Sequence, residues 1–225
     1  MTLQPAFVIL FCGRIAQLAE QRTHKPLVVG SNPSPASFTF PPELNDYNTR
    51  RKSTAMSVLP KNEIRRLVAG KPPLVEGYLD LERQLQPNGF DLPLRDIALF
   101  QNAGQMGAEN AGRRLPDLAP LVFGTDGFIE LVPGSYLITY NEIVHLPVNV
   151  MALGRPRSSL LRCGVNIGTA VWDAGYSGRS QSLMVVYNER GFRVQKNTRM
   201  MQLVFFTLTS DTDGYSGKYQ GENIR

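Results

Sequence analysis

The sequence predicts an all-β domain with one short helix ahead of it. Three observations lead there. Past residue 70 no helical period is sustained; short apolar runs alternate instead with Gly, Pro and Asn; and those runs are rich in β-branched and aromatic side chains, which favour strands. Many short strands bounded by turn residues make a barrel or a sandwich.

The helix is predicted over residues 57–69. Ser57 is its candidate cap, Ile64, Leu67 and Val68 fall on one face, and Glu63 and Arg66 on the other. Gly70 and then Lys71-Pro72-Pro73 stop it. Strands are expected in the runs 128–132, 136–140, 143–151, 183–187 and 200–208, with turns at Pro133-Gly134 and Glu189-Arg190-Gly191. Residues 101–115 contain three Gly and two Asn and read as a loop or a long hairpin insertion. The β-rich core is expected between Gln86 and Leu208, without internal repeats.

The first 55 residues read differently. The stretch 13–35 resembles the conceptual translation of a transfer-RNA gene. Ala16-Gln17-Leu18 can be encoded by a D-arm sequence, Thr23-His24-Lys25 by an anticodon loop for methionine, and Gly30-Ser31-Asn32-Pro33 by the T-arm. The three fall in gene order. Residues 32–48 are Pro-, Ser- and Asn-rich and offer no amphipathic period. The expectation is a disordered, functionless extension over 1–55, synthesis starting at Met56, and one catalytic domain over 56–225.

Composition bounds the chemistry. Hydrophobic residues make up 42% and charged residues 19%, an ordinary globular balance. The formal charge is +5, but from Met56 onward 18 Lys and Arg face 16 Asp and Glu. So small an excess argues against a nucleic-acid surface and fits a few cations gathered at an anion site. Past residue 55 there is one cysteine, Cys163, and one histidine, His145. They cannot make a tetrahedral zinc site or a disulfide framework, which excludes zinc-dependent base deamination and suits a reducing cytoplasm. His145 reads as structural. No apolar run approaches the roughly 20 residues of a membrane span, so neither nucleic acid nor membrane is an expected partner.

Four segments in order carry a family resemblance. They are Gly89-Phe90-Asp91-Leu92, Arg157-Ser158-Ser159-Leu160, Trp172-Asp173-Ala174-Gly175-Tyr176-Ser177-Gly178, and Arg199-Met200-Met201-Gln202-Leu203. They resemble the early Gly-aromatic-Asp-Leu element, the phosphate turn, the nucleoside hairpin and the Arg-x-x-Gln-Leu strand of the dUTPase and dCTP deaminase superfamily. The tail Gly214-Tyr215-Ser216-Gly217-Lys218-Tyr219-Gln220-Gly221 resembles the deaminase-type C-terminus, not the glycine-rich closing loop of ordinary trimeric dUTPases. The resemblance implies a distorted β-barrel of the dUTPase-like β-clip kind, a homotrimer with sites between subunits, and Mg2+ as cofactor.

The residue chemistry fits a nucleoside triphosphate. Arg157 can fork onto phosphate oxygens. Ser158 and Ser159 can donate hydroxyl and backbone hydrogens, and Arg162, Gln202 and Lys218 add two cations and a neutral donor. The resemblance assigns Asp173 to the sugar 3′-hydroxyl and to a water aligned on the α-phosphorus, the one catalytic role expected. Gly175, Tyr176, Tyr215 and Gln220 are the remaining expected substrate contacts, Gly175 because a missing Cβ admits a close approach. Asp91 resembles the magnesium-side carboxylate.

The choice of reaction turns on one strand. Deaminating relatives place a catalytic Glu after the nucleoside hairpin. Here Val185 or Leu183, depending on the alignment, takes its place, and no Asp or Glu occurs from Ala174 to Asn188. An aliphatic side chain cannot shuttle a proton, whereas phosphate hydrolysis does not need that group. The expected activity is therefore hydrolysis of dUTP to dUMP and pyrophosphate, in the service of dUMP biosynthesis. A dCTP deaminase with a displaced acid and a non-catalytic dUTP-binding regulator are the alternatives.

Overall fold

The computed structural model describes residues 56–224; the expectations for residues 1–55 lie outside the described residues. The helix starts later than predicted. It spans Lys61–Val68 with Pro60 at its N-cap, where a residue without an N–H and with a fixed φ is at home. Ser57 caps nothing. Ser57–Val58 is a two-residue strand against Thr207 and Phe206. The expected apolar face holds: Ile64 and Val68 are buried and Leu67 packs against the core.

The remaining chain is dominated by strands. One path runs, in spatial order, Val165–Gly168, Gln181–Val186, Gly134–Tyr140, Gly89–Phe100, Arg199–Thr207, Val150–Pro156 and Val171–Trp172. Every neighbouring pair is antiparallel. The two outer strands of this path are consecutive in sequence, separated only by Thr169 and Ala170. The sheet must therefore curl until its edges lie one tight turn apart, which is the barrel-like β fold that the resemblance implied. Ser177–Gly178, Ile143–His145 and Val75–Glu76 form a small second sheet, and Phe128–Leu131 pairs with Phe192–Gln195. The predicted run 143–151 is split between two sheets, with Pro147, which cannot donate to a ladder, in the break.

Gly89–Phe100 turns the corner of the curl. Up to Pro93 it pairs with Arg199–Thr207, and from Leu94 it pairs with Gly134–Tyr140, with a register shift on each side. The change of partner falls at the residue that lacks a donor. Inside the curl Phe90, Leu94, Tyr140, Met184, Met201 and Phe205 are fully buried in one core. The expected insertion lies between Gly89–Phe100 and Leu118–Pro120. It carries a bridge from Gln105 to Arg114 and a short 3-10 turn, Asn110–Gly112.

Candidate active site

The residues expected to meet phosphate gather at one end of Arg199–Thr207. That strand sets Gln202 opposite Asp91 on one side and opposite Arg155 on the other. Gly89 makes room for Gln202, since a Cβ there would lie 2.8 Å from its Nε2. The N–H of Arg157 donates to Met200 O (3.0 Å), and Arg157 then leads into the helix Ser158–Arg162. Ser158 and Ser159 are exposed on that helix. Arg162 donates to Ser158 O at 3.1 Å, which holds the turn shut.

Asp91 sits behind these groups. Its side chain is 2% exposed, and Oδ2 accepts from Arg199 Nη1 at 3.1 Å and forms an ion pair with Arg157 Nε at 3.2 Å. Burial pushes its carboxyl upward, and the two guanidinia pull it back only in part. Among the described residues no group of three His, Cys, Asp or Glu could hold a metal ion. A dication beside that oxygen would meet two guanidinium groups, 3.1 and 3.2 Å from it. Asp91 therefore does not fit the metal-ligand role that the resemblance implied. Arg199, which opens the quoted Arg-x-x-Gln-Leu segment, was not among the expected site residues.

The residues expected to meet the nucleoside gather elsewhere. Asp173 is exposed, its carbonyl accepts from Tyr176 N at 3.1 Å, and no hydrogen bond engages its carboxylate among the described residues. Its carboxylate is open to a hydroxyl or a water. Gly175 has φ +82, and a Cβ there would stand 2.7 Å from Gly214 Cα and 2.8 Å from Tyr215 N. The close approach that this glycine admits is thus made by the chain's own tail. Tyr215 N donates to Ala174 O at 2.8 Å, Gln220 Nε2 donates to Gly175 O at 3.0 Å, and Gln220 Oε1 accepts from Ser177 N at 2.9 Å. Lys218 stays exposed on the arch between these anchors.

Tyr176 differs from expectation. It is buried, and its hydroxyl donates to Glu222 Oε1 at 2.8 Å and lies 3.2 Å from Ser180 Oγ. The Tyr215 ring meets it edge-on, centroids 5.8 Å apart. It holds the tail from below instead of presenting its hydroxyl to a ligand. Trp172 is likewise core, its Nε1 donating to Ser180 Oγ. His145 Nδ1 lies 2.7 Å from Ser177 Oγ under the same hairpin.

The two groups of residues do not meet within one chain. Trp172 pairs with Ala152, so Asp173 lies beyond Ala152 while Arg157 lies five residues the other way. At about 3.3 Å per residue the two are separated by roughly 20 Å. On Gln181–Val186 the outward residues are Leu183 and Val185, while Ser182, Met184 and Val186 face the core.

Comparison with known proteins gives the family. Residues 58–208 match the family model described as dCTP deaminase-like. A protein of Methanosarcina mazei, called a probable deoxyuridine 5′-triphosphate nucleotidohydrolase, is 51% identical over 75% of this chain and 99% of its own length. One of Archaeoglobus fulgidus with the same description is 47% identical over 75% of this chain and 99% of its own. Among solved structures, the 2′-deoxycytidine 5′-triphosphate deaminase of Agrobacterium tumefaciens shares the fold, with a TM-score of 0.54 at 23% identity. That match covers 68% of this chain and 49% of the deaminase, so the chain spans about half that protein's length. With the four segments on the strands and turns just described and relatives at this level of identity, the chain belongs to the dCTP deaminase-like family.

Proposed function

We propose that this protein is a dUTP diphosphatase, releasing dUMP and pyrophosphate by attack of water on the α-phosphorus. The observation that carries the choice of reaction is the outward face of Gln181–Val186. It bears Leu183 and Val185 where deamination needs a proton-transferring acid, and its archaeal relatives are described as dUTP hydrolases. Asp173 orients the water and the sugar 3′-hydroxyl through its free carboxylate. Arg157, Ser158, Ser159, Arg162 and Gln202 hold the phosphates, while Gly175, Tyr215, Lys218 and Gln220 build the nucleoside side. Magnesium, which this reaction class uses, would be held by the substrate's own phosphate oxygens and waters and would supply charge neutralisation there.

The half-sites meet between subunits of a homotrimer. Supporting this, one sheet face carries side chains with nothing over them in the single chain. Val171 (49% exposed) stands opposite Leu153 (39%), which stands opposite Val204. Val58 (41%) stands opposite Phe206 on the same face. Contiguous exposed apolar surface of this kind marks an interface. No helix among the described residues is long and apolar enough to cross a membrane, and we place the enzyme in the cytoplasm.

The test is one assay of dUTP, dCTP and dTTP with magnesium, scoring pyrophosphate and ammonia. Pyrophosphate from dUTP without ammonia from dCTP is expected; ammonia would make the protein a deaminase, and no product a regulator. Asp173→Asn should lower kcat by about 10² to 10⁴ with little change in KM, because it removes the charge and the proton acceptor from water but keeps the side chain's size. A near-normal kcat would make Asp173 a turn residue.

A further inference from the structure

We infer that Asp91 is the positioning carboxylate of a two-arginine polyphosphate clamp, Arg157 with Arg199, and is not a metal ligand. The inference rests on the hydrolase reading for its ligand, since the β- and γ-phosphates are what such a clamp would grip. Its geometry stands independently of that reading. One buried oxygen, Asp91 Oδ2, is shared by two guanidinia whose side chains are 34% and 27% exposed. Each arginine thus turns its charge-paired edge inward and keeps other donors toward solvent. Arg157 uses Nε on Asp91 and Nη1 on Arg199 O at 3.4 Å. Arg199 uses Nη1 on Asp91 and on Arg83 O. A guanidinium has five N–H donors, so both retain free ones.

The charge count points the same way. One carboxylate against two guanidinia leaves a surplus positive charge, next to the exposed Ser158-Ser159 turn. Anions are attracted there and dications repelled. The main chain at Asp91 is also held from behind. Gln84 Nε2 donates to Asp91 O at 3.0 Å and to Glu142 Oε1 at 2.8 Å, while Gln84 Oε1 accepts from Leu79 N and Asp80 N at 2.7 and 2.9 Å. Magnesium demands near-octahedral geometry and keeps several waters, and an oxygen on a side chain 2% exposed and already shared by two guanidinia offers it no open side. The structure instead shows an anchor that fixes where two guanidinia point, as bidentate phosphate recognition requires.

The experiment measures binding of inorganic tripolyphosphate to the full-length protein by calorimetry, without metal, alongside dUTP kinetics over a magnesium titration. Asp91→Asn and Arg199→Gln should each weaken tripolyphosphate about tenfold, the loss of a charge-assisted contact. KM for dUTP should rise with them, with inhibition by dUMP and the half-saturating magnesium concentration unchanged. In the Arg199→Gln background Asp91→Asn should add little, since it acts through that arginine. Unchanged tripolyphosphate binding in both single variants overturns the clamp, and so does a raised magnesium requirement confined to Asp91→Asn. Should either variant lose its β-type circular dichroism, Arg199→Lys, which keeps the charge but not the fork, takes its place with the same expected loss. Because tripolyphosphate binding needs no turnover, a failure of the clamp is distinguishable from a failure of dUTP hydrolysis.

Discussion

Glu142 is fully buried, and only one of its oxygens has a partner: Oε1 accepts from Gln84, while Oε2 has none. Burial pushes its carboxyl up to about 8 from 4.5, against the pull of Gln84 and Arg179. A raised folded-state value means that the folded protein holds the proton more tightly than the unfolded chain. The stability this supplies is full below about pH 4.5 and is lost as pH rises through about 8. Glu142→Gln mimics the protonated acid and keeps an acceptor for Gln84. It should flatten this dependence and stabilise the protein at pH 8 by about 1–3 kcal/mol, with little change at pH 4.5. Thermal midpoints at both pH values check it, and a parallel shift at both would assign the effect elsewhere. Nothing in the string Asn141-Glu142 announces a buried acid, because burial of a charge is decided by the elements that close over it. Asp91 and Asp173 could be singled out because each stands in a short, ordered motif. The partners of Asp91 were not, since Arg157 and Arg199 reach it across two strand pairings. Tyr176 was misread for a related reason: its partner, Glu222, is 46 residues away.

The tail is fastened to its own chain: residues 215–223 are bonded along the hairpin 174–179. Glu222 and Asn223 form the far anchor, with Glu222 on Tyr176 and Asn223 exchanging hydrogen bonds with Arg179. Glu222→Ala should expose the tail to limited proteolysis and raise KM for dUTP, and Glu222→Gln, which keeps an acceptor for Tyr176, should restore most of both. Equal protease resistance of the alanine variant would show that the anchor is idle. Gly175→Ala should have the stronger effect, since a side chain at φ +82 is strained and would strike the tail backbone. Truncation after Asp213 should weaken triphosphate binding and turnover while leaving the β spectrum intact. The sequence displayed the strands well because alternation is local, as in Ser182, Met184 and Val186. It displayed the start of Lys61–Val68 poorly because Ser57 resembles a cap wherever it lies, and only the pairing with Thr207 claims it for a strand.

At the scale of the molecule, half-sites at opposite ends of Val150–Pro156 make a sharp expectation. Asp173→Asn and Arg157→Ala subunits, each inactive alone, should regain about a quarter of wild-type activity when unfolded and reassembled in equal mixture, the share of sites that draw an intact half from each chain in a closed symmetric ring. No recovery would mean that each site lies within one chain. Leu153→Glu with Val171→Lys should convert the assembly to folded, inactive monomers in a sedimentation experiment. The place of Arg199–Thr207 has a further consequence. It is the final strand in sequence, yet it lies between Gly89–Phe100 and Val150–Pro156 and pairs with both. A ribosome therefore delivers all the other strands of the curl before the one that joins its two halves. Pairings this distant in sequence are slow to form, so an emerging chain holds its apolar strands open until residue 207 is free. Nascent chains arrested before Arg199 should be digested readily by protease, and chains released whole should not. Chaperone demand during expression should accordingly follow the time spent waiting for that one strand, and not the stability of the finished enzyme.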